Sequence, residues 1–108
     1  MRVLKFIVEG QSIKPDPFCD FSGLVPGTEG YIQAEFSFSN EWRDYVKVVA
    51  FYSAMGKELT PKKLSDGRTC LIPREALQGR VFKLRVLGKK QDATMLTDKI
   101  AVKQKGDK

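Results

Sequence analysis

The chain reads as an all-β protein, a single antiparallel β-sandwich of about seven short strands. Three observations predict this. Apolar and polar residues alternate in "IQAEFSFS", residues 32–39, and in "VFKLRVLG", residues 81–88; a period of two is what a half-buried strand imposes. Nine glycines and five prolines interrupt the chain, leaving room for strands but for no helix longer than about two turns. The length, 108 residues, suits one core, since single domains typically run to about 100–150 residues.

Residues 2–9, "RVLKFIVE", are rich in β-branched and aromatic types and stop at Gly10, which predicts a first strand. Between 11 and 30 lie Pro15, Pro17 and Pro26 with Gly23, Gly27 and Gly30. That punctuation predicts an irregular crossover with at most short extended pieces, anchored by Phe18, Phe21 and Leu24. In the next strand Ile32, Ala34, Phe36 and Phe38 form the inward row, opposite Gln33, Glu35, Ser37 and Ser39. "VKVVAFYS", residues 46–53, is a more uniformly apolar run, as a central strand covered on both faces should be.

Pro61 cannot donate to a ladder, so residues 57–64 are expected at an edge, where Lys57, Lys62 and Lys63 would protect against strand addition. Asp66-Gly67 signals a hairpin, with "TCLI" as its short return strand. Pro73 and Gly79 bracket one helical turn near residues 73–78. Phe82, Leu84 and Val86 make another inward row, "GKKQDA" is a polar loop, and a last strand carries Leu96, Ile100 and Val102, with a bulge near Thr97 and Asp98 that restores register. One sandwich domain is expected over residues 1–103, and a frayed tail over 104–108, which has no apolar residue to bury.

The chemistry is sparse. The chain has no histidine, which removes the commonest general base and zinc ligand together. Its two cysteines, Cys19 and Cys70, are far apart and form no metal-binding pair, and its glycines form no phosphate-cradling loop. The carboxylates are scattered with no spacing that assembles a catalytic couple. The expectation is a non-enzyme with no cofactor and no metal. The cysteines either pair in an oxidising compartment or remain as buried or half-buried thiols in a cytoplasmic product; the latter is preferred because no signal sequence opens the chain. No stretch is long and apolar enough for a membrane-spanning helix.

Two features bear on binding. The formal net charge is +6, and Lys5, Lys47, Lys83, Arg85, Lys99 and Lys103 recur singly at alternate strand positions, as on a solvated face or one turned to an anionic partner. In "NEWRDY", Trp42, Arg43 and Tyr45 are residue types enriched at the energetic centres of interfaces, so they form a candidate interaction surface. The competing and preferred reading makes Trp42 and Tyr45 a plug at the base of the core. Nucleic-acid binding through stacked bases needs exposed rings among the cations, yet Phe36, Phe38 and Phe82 fall on the apolar rows; it is therefore disfavoured, with Tyr31, Tyr45 and Tyr52 as the remaining candidates.

Taken together, "AEFSFSNEW", "VKVVAFY", "CLIPREAL" and "VFKLRVLG" resemble the short, immunoglobulin-like all-β domains encoded by phages and prophages of Gram-positive bacteria, in baseplate, tail or head-fibre settings. The resemblance spans residues 31–103, and Glu41-Trp42 with the Cys70, Ile72, Pro73 step carries most of it. It implies a non-enzymatic structural or adhesion domain that docks on itself or on other virion proteins, made in the host cytoplasm and then built into the particle. The alternative expectation is a basic β-domain that binds an anionic polymer, either nucleic acid or cell-wall polysaccharide.

Overall fold

β-Branched and aromatic side chains dominate the first eight-residue strand, β1 (Arg2–Glu9). Gly10 takes φ +56°, a left-handed conformation open to glycine at no steric cost, and turns the chain into β2 (Ser12–Pro15), which runs antiparallel beside β1. The punctuated segment 16–31 then delivers β3 (Ile32–Phe38) to the other side of β1, parallel to it. Parallel neighbours cannot be joined by a tight turn, and this is what the long irregular connection provides. The parallel pair departs from the purely antiparallel expectation.

The computed structural model describes residues 1–105 and shows nine strands, two more than the pattern suggested. After β3 come β4 (Val46–Tyr52), β5 (Lys62–Lys63), β6 (Thr69–Leu71), β7 (Val81–Lys90), β8 (Ala93–Leu96) and β9 (Ile100–Lys103). One sheet has the order β2-β1-β3-β6; the other has β5-β4-β7-β8, with β9 also on β7. The larger sheet is antiparallel throughout. The arrangement is a β-sandwich.

The alternating rows do what their period requires. Leu4, Phe6, Val8, Ala34 and Phe36 from one sheet meet Val49, Phe51, Phe82, Leu84 and Val86 from the other, all buried. Six rings make a continuous file through this layer. Phe21 packs edge-on to Phe6 at 5.4 Å, Phe6 stacks on Phe36 at 5.4 Å, and Phe38, Trp42 and Tyr45 follow at 6.2, 5.4 and 5.8 Å between successive centroids.

Several expectations need correction. Phe18 does not anchor the crossover: the Asp16 carboxylate accepts the Phe18 N–H and the Asp16 carbonyl accepts the Cys19 N–H. That tight turn leaves Phe18 98 % exposed. Phe21 and Leu24 anchor the segment instead. At Asp66-Gly67 both residues take positive φ, 52° and 68°, yet the turn does not close a hairpin within one sheet, because β5 pairs with β4 while β6 pairs with β3. It is a corner between layers. β7 continues through Gly88–Lys90, so the expected polar loop shrinks to the tip at Gln91 and Asp92, and the helical turn covers Ala76–Gln78.

The last strand is split by the expected bulge. Thr97 binds Val86 through its N–H and its hydroxyl, and Leu84 faces Ile100, so the single residue Arg85 is matched by Asp98 and Lys99. The extra residue re-aims Asp98 across the open side of the sandwich. Its carboxylate accepts the Ile13 N–H at 3.1 Å and its own N–H donates to the Gln11 carbonyl at 3.0 Å. These bonds tie β8–β9 to β2. Nor does the tail fray from residue 104: Gln104 is buried, donates through Nε2 to the Leu77 and Gly79 carbonyls, and Lys105 N–H reaches Leu24. Side-chain amide bonds replace the missing apolar contacts; residues 106–108 of the expected frayed tail lie outside the described residues.

Gly88 lies under the end of the ring file. A Cβ there would fall 2.6 Å from Cζ3 of Trp42 and 3.0 Å from Cδ2 of Tyr45, and packed rings cannot yield. Gly88→Ala should therefore destabilise the fold by about 1–3 kcal/mol, read as an earlier urea midpoint followed by Trp42 fluorescence.

Candidate functional site

The tight turns around residues 39–45 build one end of the sandwich. Ser39 Oγ accepts the Gly10 N–H and donates to the Glu41 carboxylate. The following 3₁₀ turn, Asn40–Trp42, points the indole inward, where Nε1 donates to the Gly10 carbonyl at 2.8 Å. Trp42 is 0 % exposed. It is therefore the core plug and is not available as an interface anchor, because its ring area and its one donor are already used inside the fold. Of its proposed companions, Tyr45 is half-buried against the core and Arg43 is exposed.

Arg43 does border a groove of about 310 Å³ that it shares with Phe38, Lys47, Asp66 and Arg68. Lys47 is committed within it: its ammonium donates to the Tyr45 carbonyl at 3.2 Å and lies 5.2 Å from the Phe38 ring centre. The groove is thus basic at its rim, with the Asp66 carboxylate as a counterweight.

A larger basic surface lies on the outer face of the larger sheet. Because Val49, Phe51, Phe82, Leu84 and Val86 point inward, the alternate positions of β4 and β7 point outward. Strand register then sets the neighbours. Lys63, Val48, Leu87 and Leu96 form one row across the sheet, and Val46, Lys89 and Thr94 form the row at one end. On the other side Ala50 faces Arg85, Tyr52 faces Lys83, Lys83 faces Ala101, and Val81 faces Lys103. The bulge adds Lys99, whose ammonium sits 4.1 Å above the Tyr52 ring. Six cations, Lys63, Lys83, Arg85, Lys89, Lys99 and Lys103, share this face. Among the described residues, register places one carboxylate on it, Glu58 opposite Tyr52.

The rows explain each side chain. Val48, Leu87 and Leu96 are half-buried although they point outward, as expected where lysine stems lie along apolar surface with their ammonium ends in water. Arg85 is also half-buried, opposite the small Ala50, and its Nε is buried with no acceptor. Tyr52, one of the candidate stacking rings, is 5 % exposed. Tyr31 is exposed, but it lies at the entry to β3 in the other sheet.

Lys83, Arg85, Lys99 and Lys103 were visible in sequence as singly recurring cations; Lys63 and Lys89 were missed as members of the same surface. The alternation of "VFKLRVLGK" was the available signal for Lys89. Pro61 announced β5 as an edge strand, where it lies, but nothing local makes β4 its neighbour.

The cysteines are both free. Cys19 sits half-buried beside β1, with Lys5 N–H directed at its sulfur at 3.3 Å. Cys70 faces the core, and burial pushes its thiol up to about 11 from an ordinary 9.0. Among the described residues no cluster of three or more Cys, Asp or Glu side chains is arranged to hold a metal. No helix there is long and apolar enough to cross a membrane.

Comparison with protein-family models, with curated proteins and with solved structures gives no match. The surface just described therefore carries the functional argument.

The Cys70 shift has a definite sign. Below pH 9 the thiol is neutral in both folded and unfolded chains; between about 9 and about 11 only the unfolded chain ionises, so this group lowers stability as pH rises through that window. In the folded protein at pH 8, iodoacetamide should leave Cys70 unmodified, and peptide mapping should find it alkylated once urea is added.

Proposed function

We propose that this chain is a non-enzymatic binding domain that holds an anionic polymer on the outer face of its larger sheet. The observation that carries the reading is the charge of that face: six cations against Glu58, in a protein of net charge +6. Ordinary solvated sheet faces intersperse the two signs. Here strands distant in sequence bring cations together, and a polymer carrying regular negative charge gains contacts along the whole face while releasing its counterions. Val48, Leu87 and Leu96 are half-buried rather than exposed, so the face presents charge more than an open apolar patch.

On an immobilised heparin column the protein should elute at high salt. The variant Lys83→Glu/Arg85→Glu/Lys99→Glu should pass through at low salt, while Lys5→Glu, on the smaller sheet, should elute almost with the parent. Equal elution of parent and triple variant would remove this face from the binding mechanism.

A second reading, particle assembly, is supported by the resemblance of residues 31–103 to phage structural domains and by one feature of the smaller sheet. Met1, Tyr31 and Leu71 are exposed near one end of its outer face, with Leu71 facing Gln33 and the Tyr31 carbonyl accepting the Arg2 N–H. Such a patch suits docking on another virion protein or on a second copy. The immunoglobulin-like part of this reading rests on two-layer architecture, since the β2-β1-β3-β6 order with its parallel pair is not the strand order of an immunoglobulin sandwich. Sedimentation velocity tests the self-docking form: an oligomer that Tyr31→Lys/Leu71→Lys converts to monomer supports it, and a parent that is monomeric at high concentration argues against it.

A further inference from the structure

We infer that the anionic polymer is double-stranded B-form DNA, gripped through its phosphates without readout of its bases. This rests on the polymer-binding reading above and adds the identity of the polymer. The first ground is that, among the described residues, no exposed ring lies among the cations of this face. Proteins that hold single strands lay successive bases on exposed rings set among cations. The ring that strand register places among these cations is Tyr52, which is 5 % exposed and has the Lys99 ammonium 4.1 Å over it. The exposed rings of Phe18 and Tyr31 belong to the crossover and to the entry of β3.

The second ground is the layout of charge. Lys83, Arg85, Lys99 and Lys103 gather toward one end of the face, while Lys89 lies toward the other, with Lys63 alongside Val48. From Arg85 to Lys89 along β7 the separation is about 13 Å at the rise of an extended strand. The major groove of B-form DNA is about 12 Å wide, so the two groups can meet the phosphates on its opposite walls. Over the groove itself would lie Val48, Leu87 and Leu96, whose side chains have no hydrogen-bonding group with which to read a base edge.

The third ground is local. A pocket of about 130 Å³ has Lys83 and Lys99 in its lining, together with Tyr52, Val81 and Phe82, and its two cations make it a seat for one phosphate. Arg85, two positions from Lys83 on β7, is half-buried on this face, and its Nε is buried without an acceptor. A guanidinium held in this way is a planar fork whose outer nitrogens can meet phosphate oxygens.

The test is fluorescence anisotropy with a short labelled DNA duplex, the matching single strand, an RNA duplex of the same sequence, and heparin as unlabelled competitor. The DNA duplex should bind at least about tenfold tighter than the single strand and tighter than the RNA duplex, whose narrow major groove cannot be straddled in this way. Binding should not change when the base sequence is scrambled. If all six cations neutralise phosphates, affinity should fall about 10³-fold between 50 and 200 mM salt. Lys83→Glu/Arg85→Glu/Lys99→Glu should abolish binding while Trp42 fluorescence and circular dichroism stay as in the parent, and the milder Lys99→Gln should weaken it without disturbing the fold. A single strand or RNA duplex that binds as tightly as the DNA duplex overturns the inference and leaves the polymer reading standing. A duplex that fails to bind while the protein is still retained on immobilised heparin overturns the inference alone, and failure to bind both overturns the two together.

Discussion

The file of rings from Phe21 through Phe6, Phe36 and Phe38 to Trp42 and Tyr45 is the constraint on which the rest of this structure depends. It joins the crossover, both central strands of the smaller sheet and the turn before β4 into one packed layer. Each ring removes a large apolar area from water, and offset or edge contacts between neighbours add about 0.5–1.5 kcal/mol beyond that burial. The file also sets conditions on the backbone. Gly88 must lack a Cβ for Trp42 to seat, and the Gly10 carbonyl must turn toward the indole N–H.

Because the aromatic payload is spent inside, the outside is left to charge. The outer positions of the larger sheet hold lysines and one arginine in rows beside the half-buried Val48, Leu87 and Leu96. This separation explains why, among the described residues, the ring that register places on the basic face, Tyr52, is buried rather than open for stacking. The same economy disposes of Trp42 as an anchor: a residue cannot both complete a core and lend its area to a partner. Phe18 is exposed because the Asp16 carboxylate and carbonyl fix a tight turn around it.

The bulge at Asp98 and Lys99 links architecture to surface. One inserted residue breaks the ladder on β7 and does two things at once. It sends Asp98 to the Ile13 N–H, closing one side of the sandwich, and it brings Lys99 over Tyr52 on the outer face. A carboxylate leaves the basic face and a cation joins it. Bulges commonly re-aim side chains in this way, and here the consequence is electrostatic as well as structural.

The sequence by itself determined the layered all-β architecture, the inward rows at 32–38 and 82–86, the helical turn near residues 73–78 and the bulge, because each follows from a local period or a single special residue; the other helical turn, Asn40–Trp42, carried no such local signal. It could not determine which strands are neighbours. Asp66-Gly67 announces a sharp turn whether the chain returns to the same sheet or crosses to the other, and the turn chemistry is the same in both cases. Gln104 looks like part of a polar tail until the Leu77 and Gly79 carbonyls are placed beside its amide. The basic face is the plainest case: Lys63, Arg85 and Lys99 are tens of residues apart or on different strands, and only the pairing of β5, β4, β7 and β9 puts their charges on one surface. Side-chain alternation is a property of a few adjacent residues, whereas charge convergence is a property of long-range register, and that was decided by the tertiary structure alone.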